Sequence, residues 1–314
     1  NAAGGINGRK IELVTLDDRG NPTQTAANAK QLMDQGVLAL FGFYGSPQVT
    51  AAYPVIKDTD ALLFASMAAA DELRGALYPN VYSMRPGYAE EAAAIAKHAE
   101  ALGARKFAVL HGTDGESLAA LDSAERTMTS AGATLAAKAP LASANVAASV
   151  DRVMAARPES MLVISDAAGA GTAIRDLRAK GFRGPIYGFS NTGESLLADQ
   201  LGPNGAGVVV VRVVPKSDGA KLAVTRELQA DLAQAKLGKP NVYLLEGYIA
   251  ARAFTEALRR IPAKDTPTRA RLKKSIDALD DLSIGGFRVH FSEERIGSKL
   301  VELSLIDSQG RVRE

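Results

Sequence analysis

Residues 37–73 read VLALFGFYGSPQVTAAYPVIKDTDALLFASMAAADEL, and the fold prediction starts from this stretch. Two short apolar runs, at 37–41 and 62–65, flank a segment in which Pro47 follows Ser46. Proline is favoured at the first helical position, directly behind a serine that caps the helix. The stretch therefore predicts a strand, a helix and a second strand, which together form the βαβ unit of a parallel sheet.

The same alternation continues along most of the chain. Continuous apolar runs are typical of strands that are buried on both faces. Between them, apolar residues recur at helical spacing, as at Ala92, Ile95 and Ala99. The predicted strands cover residues 11–16, 37–41, 62–65, 106–110, 161–165, 185–188 and 208–214. The sequence predicts a doubly wound α/β protein.

The length predicts two lobes. A single hydrophobic core stops growing at about 250 residues, and this chain has 314. Proline and glycine stand between a strand and a helix at 84–88 (MRPGY) and 213–219 (VVPKSDG), and both places are interpreted as crossings between lobes. A third crossing is placed near Gly297. The first lobe is predicted to comprise 1–85 and 216–296, and the second 86–215 and 297–314.

The net charge of the chain does not indicate a binding partner. Thirty-seven Lys and Arg against thirty-five Asp and Glu give a net charge of +2, which provides no general attraction to nucleic acid or to anionic membranes. The run 252–274 contains eight Lys or Arg and two Asp or Glu, and we interpret it as a solvated face. There are no cysteines, so the redox compartment is not restricted.

No catalytic, metal or cofactor motif is convincing. The three histidines, His98, His111 and His290, fall on different predicted elements, which argues against a metal site. No G-x-S-x-G elbow or P-loop is present. GAGTAI at 169–174 matches only part of the dinucleotide fingerprint, and close packing of a helix on a strand explains its small residues equally well. We expect a protein without enzymatic activity, metal or cofactor.

The loops after the first strands suggest an anion-binding site. Ser46 lies at the predicted start of a helix, where free backbone N–H groups and the helix dipole favour a carboxylate. The alternative is that Ser46 only caps its own helix. Tyr44 belongs to the same loop, and Ser66, Met67 and Ala69 form a small-residue loop after the next strand.

Several stretches in this order resemble a known family: NAAGGINGRKIELVTLDD, LFGFYGS, FASMAAADEL, FAVLH with DGES, IRDLRAKGF and LEGYIAARAF. Together they resemble the periplasmic solute-binding proteins of ABC importers, in the leucine/isoleucine/valine-binding group. The resemblance covers almost the whole chain. It implies the type I periplasmic-binding fold, in which three strands join two lobes that close on a small ligand. It also implies one more strand and helix before the segment that begins at Asn1, which would leave the first lobe incomplete.

The resemblance also assigns roles to the loop residues. It implies that Ser46 binds the ligand carboxylate and that Met67 supplies backbone contacts beside it. Ala69 and Ser190 stand where amino-acid binders carry a threonine and a glutamate that hold the ammonium group. Both positions depart from the pattern.

Asp114 and Asp166 follow predicted strands of the second lobe, and either could replace the missing anion. We expect the candidate ligand contacts to be Tyr44, Ser46, Ser66, Met67, Ala69, Asp114, Asp166 and Ser190.

The expected function is that of a periplasmic receptor that takes up a small carboxylate-bearing solute between its lobes and delivers it to the membrane permease of an ABC importer. A branched-chain or other hydrophobic amino acid is the first expectation, and a hydrophobic organic acid or amide is the alternative. The same fold also serves as the effector-binding domain of transcriptional regulators, which remains a second alternative. We expect a monomer, secreted through a leader peptide that is not in this sequence.

Overall fold

The computed structural model describes residues 1, 4–141, 145–291 and 294–314. They form two compact units. Unit 1 comprises Asn1–Arg85, Ala220–Gly238 and Leu244–Lys299, and unit 2 comprises Pro86–Gly219, Lys239–Tyr243 and Leu300–Glu314. The sequence placed the changes of lobe after residues 85, 215 and 296, whereas the units change after residues 85, 219 and 299, with 239–243 assigned to unit 2.

The first part of the chain builds a small parallel sheet in unit 1. Its elements are α1 (Pro22–Asp34), β1 (Leu40–Phe41), α2 (Ser46–Ile56), β2 (Leu63–Phe64) and β3 (Val81–Tyr82). The strands pair in the order β1-β2-β3, all parallel. Helix α1 begins where the side chain of Asn21 accepts hydrogen bonds from the backbone N–H groups of Thr23 and Gln24.

The middle of the chain builds most of unit 2. Its elements are α3 (Tyr88–Ala101), β4 (Lys106–His111), α4 (Gly115–Ser130), β5 (Thr134–Pro140), α5 (Val146–Ala155), β6 (Ser160–Ile164), α6 (Ala167–Ala179), β7 (Ile186–Gly188), α7 (Glu194–Leu201) and β8 (Val208–Arg212). Strands β5, β4, β6, β7 and β8 are parallel neighbours in that order.

The last part of the chain adds helices to unit 1 and two strand pairs. Its elements are α8 (Ala223–Gln234), α9 (Val242–Arg259), α10 (Arg269–Asp277), β9 (Leu282–Ile284), β10 (Phe287–Val289), β11 (Glu302–Ile306) and β12 (Val312–Arg313). Strands β9 and β10 form an antiparallel hairpin. Strand β11 pairs antiparallel with both β8 and β12, so the sheet of unit 2 has seven strands and is mixed.

The predicted strand at 11–16 is wrong. These residues form no strand, and the side chains of Ile11, Leu13 and Val14 are 38%, 74% and 39% exposed. The backbone N–H and C=O of Ile11 bond to the side chain of Asn1 instead of a neighbouring strand. An apolar run becomes a strand only where another strand can satisfy its backbone groups.

Strands β5 and β3 are among those that the sequence analysis missed. Strand β5 lies at the edge of its sheet, and its residues alternate between exposed and partly buried, so it lacks the continuous apolar run used to find strands. Strand β3 is only two residues long.

Each unit has its own hydrophobic core. In unit 1, the rings of Phe41 and Phe64 lie 5.6 and 5.4 Å from that of Phe254, and Phe291 lies 5.7 Å from Phe64. In unit 2, α6 and α7 pack their buried side chains, including Ile174, against the sheet. These cores fix the strand ends from which the loops discussed below emerge.

Candidate functional site

Helix α2 begins directly at Ser46, after a turn at Gly45. Gly45 is the N-cap residue, has a φ of 98° and provides no side-chain hydrogen bond. A Cβ atom there would lie 2.1 Å from Oε1 of Gln48, and a positive φ is unfavourable for other residues. The interpretation in which Ser46 caps its own helix is therefore wrong, because Ser46 is the first helical residue and Gly45 takes the cap position.

The hydroxyl group of Ser46 joins α2 to the loop that follows β2. Its Oγ accepts a hydrogen bond of 3.0 Å from the backbone N–H of Ala70. Ser46 is only 3% exposed, so the bond is made in a buried environment. The serine thus holds two loops of unit 1 together.

Backbone bonds complete this connection. The N–H of Met67 donates to the C=O of Phe43 at 2.7 Å, and the N–H of Gly45 donates to the C=O of Met67 at 3.1 Å. The loop after β1 and the loop after β2 therefore run side by side, at the carboxyl ends of two parallel strands. The structure brings together all the candidates from unit 1, namely Tyr44, Ser46, Ser66, Met67 and Ala69.

The two aspartates of unit 2 cap helices. Asp114 accepts hydrogen bonds from the N–H of Ser117 at 2.9 Å and from its hydroxyl at 2.6 Å, at the start of α4. Asp166 accepts one of 2.8 Å from the N–H of Gly169, at the start of α6. Acidic caps of this kind are favoured by the helix dipole. A ligand contact by either residue stays a prediction.

Ser190 is bound by a buried carboxylate that the sequence analysis did not identify. The backbone N–H and the hydroxyl of Ser190 each donate a hydrogen bond of 2.8 Å to Glu91. Glu91 lies in the first turn of α3 and is fully buried. In the sequence it looks like an ordinary acidic residue near a helix start, and Ser190 lies 99 residues away. A ligand contact by Ser190 likewise stays a prediction.

A second buried carboxylate lies at the start of α7. Glu194 is 1% exposed, and burial raises the pKa of its carboxyl to about 7, with the positive charge of Arg212 offsetting only part of that effect. Arg212 is itself buried, and its Nη2 donates to Oε2 of Glu302 at 2.6 Å.

The described part of the chain has neither a cluster of metal-ligating side chains nor a helix that could span a membrane. No group of three His, Cys, Asp or Glu side chains there is arranged to hold a metal ion. None of its helices combines the length and apolar character that a membrane span requires.

A family model described as periplasmic binding protein matches residues 1–296. The chain belongs to the periplasmic binding protein family. This periplasmic binding protein is 24% identical over 282 residues to the amino acid binding protein of Pseudomonas aeruginosa, covering 88% of this chain and 74% of the relative. It is 28% identical over 122 residues to the Leu/Ile/Val-binding protein of Escherichia coli K12, covering 38% of this chain and 33% of the relative.

The solved structures agree on the fold. An extracellular ligand-binding receptor from Verminephrobacter eiseniae superposes with a TM-score of 0.89 at 25% identity, covering 100% of this chain and 90% of that one. The family and the type I periplasmic-binding fold predicted from the sequence are therefore confirmed. The relatives named here are binding proteins, which supports a role without catalysis.

Proposed function

We propose that this periplasmic binding protein is the solute receptor of an ABC importer, which captures a small carboxylate-bearing solute in the periplasm and delivers it to a membrane permease. The proposed solute is a branched-chain or other hydrophobic amino acid. The family membership and the names of the amino-acid-binding relatives support this class of ligand. We propose that the receptor acts as a monomer.

The observation that carries the proposal is the pair of loops in unit 1. Helix α2 starts at Ser46 without a side-chain acceptor from its N-cap residue, so its positive end suits an anion. The loop after β2 is bonded alongside it through Met67 and Ala70. We place the solute carboxylate here, with Tyr44, Ser66 and the remaining loop residues around it.

The residues of unit 2 are proposed to contact the rest of the solute. Asp114, Asp166 and Ser190 all follow the carboxyl ends of parallel strands, where open α/β sheets bind ligands. Either aspartate would supply the negative charge that an ammonium group needs.

A hydrophobic organic acid or amide is the second candidate, and two observations favour it. Position 69 is an alanine, which offers no side-chain acceptor to an ammonium group. Ser190 donates both its N–H and its hydroxyl proton to Glu91. A carboxylate ligand without an ammonium group would need neither residue.

Calorimetry with three matched compounds tests the proposal: leucine, 4-methylpentanoate, which lacks the ammonium group, and leucinamide, which lacks the carboxylate. We expect leucine to bind and leucinamide to bind far more weakly, because only the carboxylate complements the start of α2. Equal binding of leucine and 4-methylpentanoate would identify an organic-acid receptor. Binding of leucinamide alone would contradict the carboxylate site.

A further inference from the structure

Unit 2 contains a depression of about 1160 Å³ on the side of its sheet where the parallel strands begin. Residues directly before β7 and β8 line it, including Gly184, Pro185, Ala206 and Gly207. Parallel strands end at one edge of a sheet and begin at the other. This depression, here named the amino-edge groove, therefore lies away from the strand ends that carry Asp114, Asp166 and Ser190.

Exposed apolar side chains line part of the amino-edge groove. Leu102, at the end of α3, is 59% exposed, and Leu305 of β11 is 43% exposed. Leu305 pairs across the sheet with Val209, which also lines the groove. Small-molecule sites are concave with largely apolar walls, and covering exposed leucines is favourable.

Three arginines line another part of the groove. Arg178 donates to the backbone C=O groups of Phe182, Gly184 and Ala206 at 2.9 to 3.2 Å. Arg183 donates to the C=O of Arg178 at 2.8 Å.

The third, Arg175, donates to the hydroxyl of Thr172 at 3.4 Å and to the C=O of Gln200 at 3.5 Å. The acceptors of all three arginines are neutral, so these bonds position the guanidinium groups without neutralising their charge.

No carboxylate in the described part of the chain forms an ion pair with these three arginines. Glu314 also lines the groove, with its Oε1 3.7 Å from Nη2 of Arg212, which bonds Glu302 as well, so the lining holds one carboxylate against three arginines. Burial and the neighbouring charge of Arg183 lower the pKa of Arg178, as expected where positive charges are crowded. The groove thus combines an apolar wall with unneutralised positive charge.

We propose that the amino-edge groove binds an amphiphilic carboxylate, whose apolar body covers Leu102 and Leu305 and whose anionic head lies at Arg175 and Arg183. The arginines provide hydrogen-bond donors in the planar arrangement that suits a carboxylate. This site is separate from the one proposed for the transported solute and does not depend on it.

Calorimetry with octanoate, 1-octanol and acetate tests the proposal on the whole protein. We expect octanoate to bind, and 1-octanol and acetate to bind at least about tenfold more weakly, because each lacks one half of the required chemistry. We expect Leu305→Asp and Arg183→Ala each to weaken octanoate by about tenfold. The matched controls are Leu237→Asp and Arg152→Ala, which change exposed residues outside the groove and should leave octanoate affinity unchanged.

The variant Ser46→Ala separates this site from the solute site. Suppose that octanoate affinity falls in Ser46→Ala but not in Leu305→Asp or Arg183→Ala. Octanoate would then bind at α2, and the groove proposal would be wrong. Absence of octanoate binding would overturn it as well. If the groove variants weaken octanoate while leucine and 4-methylpentanoate both fail to bind, the groove proposal stands and the proposed function fails. Thermal unfolding of each variant shows whether it is folded, and Leu102→Glu replaces Leu305→Asp if that variant is not.

Discussion

Ser46 has a structural bond and a proposed ligand contact on the same hydroxyl group. Its oxygen accepts the N–H of Ala70, which is 1% exposed. Ser46→Ala should therefore lower the free energy of unfolding by about 1 to 3 kcal/mol, because a buried N–H loses its acceptor. The same variant should also weaken the binding free energy of a carboxylate solute by about 1 to 3 kcal/mol. Urea unfolding and calorimetry measure the two effects separately.

Ser160→Ala is the matched control for Ser46→Ala. Ser160 is fully buried in β6, and its hydroxyl has no hydrogen-bond partner among the described residues. Its removal should change neither stability nor affinity appreciably. An unchanged affinity in Ser46→Ala would remove Ser46 from the ligand site and leave only its structural bond.

Glu194 should make stability depend on pH. Burial raises its pKa in the folded protein to about 7, above the ordinary value of 4.5, so the folded state holds the proton more tightly than the unfolded state. The contribution of Glu194 to the free energy of unfolding is fully present below about pH 4.5 and is lost as the pH rises through 7. Glutamine stays neutral at both pH values. When the pH is raised from 5 to 8, the free energy of unfolding of Glu194→Gln should therefore increase relative to that of the wild type by roughly 1 to 3 kcal/mol.

Urea unfolding at the two pH values measures this gain. Asp199→Asn, which changes an exposed residue of the same helix, is the control and should show no such gain. A difference between Glu194→Gln and the wild type that is the same at both pH values would contradict the raised pKa.

At the scale of elements, Glu91 connects α3 to the turn that follows β7. Two hydrogen bonds of 2.8 Å join its carboxylate to Ser190. Ser190→Ala removes one of them and should cost about 1 to 2 kcal/mol of unfolding free energy, whereas Glu91→Ala leaves two buried donors and should cost more, about 2 to 4 kcal/mol. The double variant should be less destabilised than the sum of the two, because the residues interact directly.

Urea unfolding of the wild type, the two single variants and the double variant forms the required cycle. Additive effects would show that the pair contributes no direct interaction. A loss of leucine affinity in Ser190→Ala beyond the loss in stability would favour the ligand contact predicted from the sequence.

At the scale of the whole molecule, the chain divides its length between two units with separate cores. The polypeptide changes unit after Arg85, Gly219, Gly238, Tyr243 and Lys299. The net charge of +2 is close to zero, yet the amino-edge groove concentrates three arginines in unit 2. Overall charge therefore says little about what one surface of this molecule can bind.

The sequence alone determined the alternation of strands and helices, because apolar runs and helical spacing are local patterns. The predicted strand at 106–110 corresponds to β4, Lys106–His111, and the helical spacing of Ala92, Ile95 and Ala99 falls within α3, Tyr88–Ala101. The sequence also predicted that Ser46 and Met67 lie in loops that follow strands, since each comes after an apolar run. The family followed from the same stretches.

Only the tertiary structure decided which polar groups meet. The run at 11–16 has the pattern of a strand but no strand pairs with it, and Ser46 bonds to Ala70 instead of capping its helix. The partnership of Glu91 with Ser190 joins residues far apart in the chain, and so does the lining of the amino-edge groove, which contains both Leu102 and Leu305. Periodicity describes a residue and its near neighbours, whereas hydrogen-bond and charge partners depend on how distant elements pack, and no local pattern records that.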